Sequence, residues 1–142
     1  MTTDLDPAAT ATAAVTAAAT ATAAADTAAP ASFAVHIPDA ELEPEPLDPA
    51  QIVSGTPEVT GKVLWESPDG KQLRGIWQIT PGVVTDTEAN ELFVVVSGRA
   101  TVAVEGGDVL ELGPGVAAVL REGDRTTWTV HETLRKAYHI SL

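Results

Sequence analysis

The sequence contains no cysteine, which excludes a disulfide framework, a thiolate-held zinc site and a cysteine nucleophile. Basic residues are missing from the first part of the chain, where Lys62 is the earliest. A secretory leader opens on positive charge before its apolar run, whereas here Asp4 and Asp6 come first. With the absence of cysteine, this reads as a cytoplasmic protein. Histidine is limited to His36, His131 and His139, and no two of these share the spacing that metal ligands on one strand require. Runs of large apolar residues are also lacking. The longest apolar stretch, Ala8–Ala29, is alanine and threonine interrupted by Val15 and Asp26. Such residues bury too little surface to span a membrane.

Acidic residues are plentiful and unevenly placed. The formal net charge is −12, and residues 1–60 supply −9 of it through nine acids and no base. The rest of the chain is close to balanced. An acidic chain without a basic cluster repels phosphate backbones, which argues against nucleic-acid binding. Three zones follow. Residues 1–31 are low-complexity Ala/Thr without an amphipathic stripe, and disorder is expected there. Residues 32–60 form an acidic, proline-rich arm. Within it, positions 38–49 carry four prolines and five acids, so an extended course is expected. Ile37, Leu42, Leu47 and Ile52 are spaced to pin that arm onto an apolar surface. Residues 61–142 change to short β-rich runs.

Eight runs stand out: 62–66, 73–80, 91–96, 99–105, 108–112, 116–121, 125–130 and 135–140. They are parted by Pro68-Asp69-Gly70, Pro81-Gly82, Ser97-Gly98, Gly106-Gly107, Gly113-Pro114-Gly115, Glu122-Gly123-Asp124 and His131-Glu132. Ser97-Gly98 is short enough for a tight hairpin, and Gly106-Gly107 suits a primed turn. Short strands without helical periodicity predict an all-β sandwich or barrel. A core this small gains from dimerisation.

Residues 75–82, 91–98 and 123–128, the closing segment 128–140, and upstream Gly55-Thr56-Pro57 and Trp65 together resemble the small cupins grouped with (S)-ureidoglycine aminohydrolase. The likeness runs over roughly residues 45–142. It implies an antiparallel jelly-roll β-barrel of the RmlC-like cupin type, with arms of the kind that join barrels into a homodimer. It also implies hydrolysis or isomerisation of a small nitrogenous or carboxylate metabolite. The aminohydrolase itself has two cupin domains and a manganese ion held by histidines.

The cupin metal pattern places two histidines one residue apart, then a glutamate after three or four intervening residues, then a glycine. A second glycine is followed three residues on by another histidine. Glu91, Gly98 and Gly123 fit, but the histidine positions fall on Thr85, Thr87 and Thr126. Threonine hydroxyls are poor substitutes for imidazole, so no metal is expected, with Glu91 the ligand if any ion such as manganese binds. Strand alternation sets Asp86 and Glu88 opposite Thr85 and Thr87, and a bulge would be needed to bring them in. By the same alternation Glu91, Phe93 and Val95 share a face, which the resemblance puts inside the barrel. The expected pocket is a carboxylate framed by Trp77, Phe93, Trp128 and Tyr138, with Thr85, Thr87 and Thr126 beside it. Glu91 is either a ligand-binding or proton-transferring carboxylate, or a structural one satisfied by Arg121, Arg125 or a tyrosine hydroxyl. Trp77 and Trp128 divide between core and pocket wall, and Arg135-Lys136 reads as solvated edge charge. Three functions remain open: a metal-free barrel binding a small metabolite, an aminohydrolase-like metalloenzyme, and a scaffold for the acidic arm.

Overall fold

The computed structural model describes residues 31–142; the reading of residues 1–31 as a disordered leader falls, but for Ala31, outside them. Strand is the dominant structure of the described chain, with two short 3-10 turns as its only helical pieces, as expected. Two long strands organise it: β6 (Asn90–Val104) and β9 (Arg125–Ser141). They pair antiparallel along most of their length, from Asn90↔Ser141 to Val104↔Thr126. The shorter strands dock on their outer sides. Along the C-terminal half of β9 runs β4 (Gln72–Ile79), followed outward by β3 (Val59–Glu66) and β1 (Glu43–Pro44). Along its N-terminal half runs β5 (Gly82–Thr87), then β2 (Ile52–Ser54). On the far side of β6 lie β7 (Val109–Leu112) against residues 100–103 and β8 (Ala117–Leu120) against residues 91–94. The ladder therefore curls into two faces that share β6 and β9, the jelly-roll arrangement.

The two expected breaks inside these strands are absent. Ser97-Gly98 is not a hairpin and His131-Glu132 does not end a strand. Both chains continue, and their pairing shifts register between Val95 and Ala100 instead. Gly98 explains why. It sits at φ +88, and a Cβ added there would lie 2.0 Å from the Thr133 carbonyl oxygen. The glycine lets one backbone press against the other, so the paired strands bend together rather than reverse.

Between the faces lies a core of Leu73, Ile79, Phe93, Val95, Val102, Leu120, Trp128 and Leu134, each at most 3% exposed. The third tryptophan, Trp65, lies outside it under the Arg74 guanidinium, 4.4 Å from its ring centroid. Leu47 and Ile52 from the arm pack against the core. Arg135 is not edge charge but a clamp on the arm. Its Nη1 donates to the carbonyls of Ile37 (2.7 Å), Pro38 (3.1 Å) and Ala40 (3.1 Å), and its Nε to Gln78 Oε1 at 2.9 Å. Farther on, Asp48 caps the turn Pro49–Gln51, and Gln51 Nε2 donates to the Thr85 carbonyl at 3.1 Å.

Gly98→Ala should cost roughly 2–6 kcal/mol, from left-handed strain and overpacking together. Gly106→Ala meets nothing within 4 Å and should cost only the strain, about 1–2 kcal/mol. Urea midpoints of the two variants check the difference.

Candidate functional site

Strand pairing decides which side chains enter the barrel. On β6, Glu91, Phe93 and Val95 are buried while Leu92 and Val94 are exposed. Opposite them on β9, Lys136 and Tyr138 face the same way, with Val95↔Lys136 and Phe93↔Tyr138 as direct partners. From β4, Trp77 pairs with Lys136. Thr126 and Trp128 continue the inner face of β9, both at 3% exposure. The expected carboxylate among aromatic rings is thus assembled, with an addition at its centre. Lys136 Nζ lies 2.6 Å from Glu91 Oε2, and each side chain is 7% exposed.

Lys136 is accordingly a buried cation and not edge charge. It takes the role assigned to Arg121 or Arg125, whose side chains are both exposed. Its ammonium also lies over three rings, 4.3 Å from the Phe93 centroid, 4.5 Å from Trp77 and 5.1 Å from Trp128. Removing an ammonium and a carboxylate from water costs several kcal/mol per ion. Their close contact and the electron-rich ring faces offset part of that cost.

Asp86 and Glu88 correct the expected sidedness. Val84 pairs with Trp128 and Asp86 with Thr126, so the even-numbered residues of β5 share the inner face. Thr85 and Thr87 pair with Thr127 and Arg125 on the outer face. No bulge interrupts this pairing. With four intervening residues rather than three, the cupin pattern lands on Val84 and Asp86, which is where the strand puts its inward positions. Glu88 follows just past the strand and is 5% exposed. Its Oε1 accepts from Thr126 Oγ1 at 2.6 Å and from Trp128 Nε1 at 3.1 Å.

Burial raises the Glu88 carboxyl above its ordinary range, and the neighbouring Glu91 charge adds to this, against Lys136 and the two donors. Asp86 is pushed up to about 8, first by burial and then by Glu88, while Lys136 and the Thr87 N–H pull the other way. Three acids thus surround one amine, and at neutral pH Asp86 keeps its proton.

A fourth acid arrives from the arm. A Cβ on Gly61 would stand 2.5 Å from Glu45 Oε1, and one on Gly75 2.6 Å from the Tyr138 hydroxyl. The two glycines leave room for these groups. Burial raises Glu45. Burial, followed by the charges of Glu45 and Glu91, holds the Tyr138 phenol well above its usual range, so it remains a donor.

A cavity of about 490 Å³ opens beside this cluster, at the end of β5, β6 and β9. Its outer wall includes Thr85, Thr87, Thr127, Arg125 and Glu105, while Asp86 and Thr126 border it. Thr85 and Thr87 therefore line a cavity, although on the opposite side of β5 from Glu91.

The donors do not fit a transition metal. Glu91 is already held by an ammonium, the pattern positions supply valine, aspartate, glutamate and threonine, and imidazole is lacking. His36 is exposed beside Asp39, His131 bonds Thr101 outside, and His139 lies next to Arg74 on the outer face. Among the described residues no group of three or more His, Cys, Asp or Glu is arranged to hold an ion.

Lys136, Asp86, Glu88 and Glu45 were not among the expected site residues. One signal was present for Lys136: it stands two residues from Tyr138, and strand alternation gives both the same face.

Lys136→Met and Glu91→Gln should each cost roughly 3–5 kcal/mol, since each leaves a buried partner unmatched. The double variant should cost less than the two singles combined, which a double-mutant cycle in urea measures. Asp86 carries a second expectation. It keeps a proton that the unfolded chain releases, so between about pH 4 and 8 stability falls as pH rises. Asp86→Asn should flatten that slope when urea midpoints are measured across the window.

Residues 66–138 match the family model of the EutQ-like cupin domain. No curated protein matches the chain. Among solved structures it is similar to a protein of unknown function of the DUF861 family from Pseudomonas syringae pv. tomato. That likeness has 26% identity and a TM-score of 0.66, covering 72% of this chain and 45% of that one. The chain thus spans under half of that protein's length. It is also similar to the Clostridium difficile EutQ protein, at 13% identity, TM-score 0.58, and 76% and 85% coverage. The Cnp3 cupin domain of Schizosaccharomyces pombe follows at 11% identity, TM-score 0.56, and 77% and 74% coverage. At such identities the last two are likenesses of fold. Among the described residues no helix is long and apolar enough to cross a membrane.

Proposed function

The chain belongs to the EutQ-like cupin domain family, and within it we propose a barrel that binds a small polar metabolite without a transition metal. The observation that carries this reading is Asp86. It borders the metabolite-sized cavity while standing in the electrostatic field of Glu88, Glu91 and Lys136. Pockets of this volume, with a few convergent polar groups, suit small ligands. On the cavity's side of the sheet the Thr85, Thr87 and Thr127 hydroxyls and the Arg125 guanidinium offer donors and acceptors, which matches a hydroxylated or carboxylated metabolite, while Asp86 borders the same space from the inner face. Lys136 supplies inside the barrel the positive charge that an ion supplies in metal-bearing cupins.

The aminohydrolase-like alternative depends on histidine-held manganese, and all three histidines of this chain lie outside the barrel. That arrangement supports the metal-free reading. The scaffold alternative becomes an outcome of the experiment.

Elemental analysis of the purified full-length protein should find manganese, iron, nickel and zinc well below one per chain; stoichiometric metal would restore the metalloenzyme. A thermal-shift panel of hydroxy and carboxy metabolites should then raise the wild-type melting temperature. At a hundredfold excess over Kd the gain is about 2.7 kcal/mol. Asp86→Asn and Thr127→Val should lose that shift. If no metabolite stabilises the wild type, binding is abandoned in favour of the scaffold.

A further inference from the structure

The proline-rich arm does more than lie on the barrel. Strands β1 and β2 stand at opposite ends of one strand path, β1 beyond β3 and β2 beyond β5. The chain between them, residues 45–51, therefore crosses the open side from one face to the other. Its hold on the barrel is slight. Of its backbone amides only that of Glu45 bonds outward among the described residues, to the Val59 carbonyl at 2.9 Å. The amides of Asp48, Ala50 and Gln51 turn back onto the segment itself, and Pro46 and Pro49 have no N–H to give. Leu47 packs against the core, and Gln51 fastens the far end at Thr85.

Beneath this strap the polar interior is closed. Lys136, Glu91, Glu88 and Tyr138 are all buried, so a molecule meets the ammonium only if some segment moves. The strap presents one ionisable side chain to that interior. A Cβ on Gly61 would lie within 2.9 Å of Oε1, Cδ and Oε2 of Glu45, so the carboxyl rests directly on the glycine backbone. The titratable groups it meets are Tyr138 on β9 and, beyond it, Glu91 on β6; β3 and β4 offer it glycine. Neither the Glu45 carboxyl nor the Tyr138 hydroxyl has a hydrogen-bond partner among the described residues. Packing alone holds this side chain in, and burial disfavours its charge.

A segment with one outward amide bond and an unpaired carboxyl beneath it is the part of the wall that opens at least cost. We propose that residues 45–51 are a gate across the barrel, that the Glu45 side chain is its latch, and that lifting it exposes the Lys136–Glu91 pair. This is independent of the metabolite reading, because the gate moves with no ligand present.

Labelling of the full-length protein with a small amine-reactive reagent, read by peptide mass spectrometry, tests it. Lys62 and Lys71 are exposed and give the reference rate. Lys136 should label more slowly than these, at a rate that low urea barely changes, since a local opening uncovers little surface. The chain has no cysteine, so Pro44→Cys with Thr60→Cys makes a single disulfide. These residues are direct partners at the closer antiparallel spacing, because the bonded pair is the next one, Glu45 with Val59, and a disulfide spans that distance. Oxidised, the double variant should label Lys136 several-fold more slowly relative to Lys62 and Lys71. Reduced, the same molecule should return to the wild-type rate, which also shows that it folds. Glu45→Gln, which keeps the shape and removes the charge, should slow the labelling as well. A rate that the disulfide leaves unchanged would mean entry from the cavity beside β5 and would overturn the gate. So would labelling that climbs with urea in step with global unfolding, and a Glu45→Gln variant that labels as fast as wild type would overturn the latch.

Discussion

A single ammonium group sets the electrostatics of the barrel. Lys136 brings one positive charge into a space that also receives Glu91, Glu88 and Asp86. Without it, three carboxylates would share a poorly solvated interior, and each ionisation would raise the cost of the next. With it, Glu91 gains a direct partner, and Glu88 is met by a hydroxyl and an indole N–H. Asp86, farthest along the series, resolves the remaining conflict by holding its proton. The aromatic rings belong to the same balance. Trp77, Phe93 and Trp128 exclude water, which sharpens every charge inside, and they turn their π faces toward the one cation.

The geometry behind this follows from two strands. Because β6 and β9 run through both faces, their pairing, in two registers joined at the Gly98 bend, fixes the whole interior. Before the bend Val95 stands against Lys136, and beyond it, one position out of that register, Val102 stands against Trp128. The bend at Gly98 turns the ladder over without breaking it, so the aromatic cage in one half and the Glu88 anchor in the other are parts of the same pair of strands. The cavity opens where these strands end, beside β5.

Much of this could be read from the residues, and the remainder failed for identifiable physical reasons. The all-β class, the turn glycines and the inward face of Glu91 and Phe93 follow from alternation and composition. The bend at Ser97-Gly98 was hidden because a serine-glycine pair marks a reversal and a bulge equally well; only the Thr133 backbone pressed against Gly98 decides between them. Strand β5 was hidden by its own chemistry. Asp86 and Glu88 look like solvent-facing residues on a Val/Thr strand, and the outward threonines look like the inward set. Lys136 was concealed by Arg135 beside it, since adjacent basic residues read as surface. What makes it internal is an interaction across forty-five positions of sequence with Glu91, and no local pattern reports that.

The neighbours Arg135 and Lys136 have opposite tasks. One fastens the arm outside; the other neutralises the acids inside. Sliding β9 by a single position would interchange them. It would drive a guanidinium against Phe93 and Trp77 and leave the arm's three carbonyls without their donor. A misaligned fold thus fails on both surfaces of the sheet at once, so this pair of residues acts as a lock on correct threading of the longest strand among the described residues.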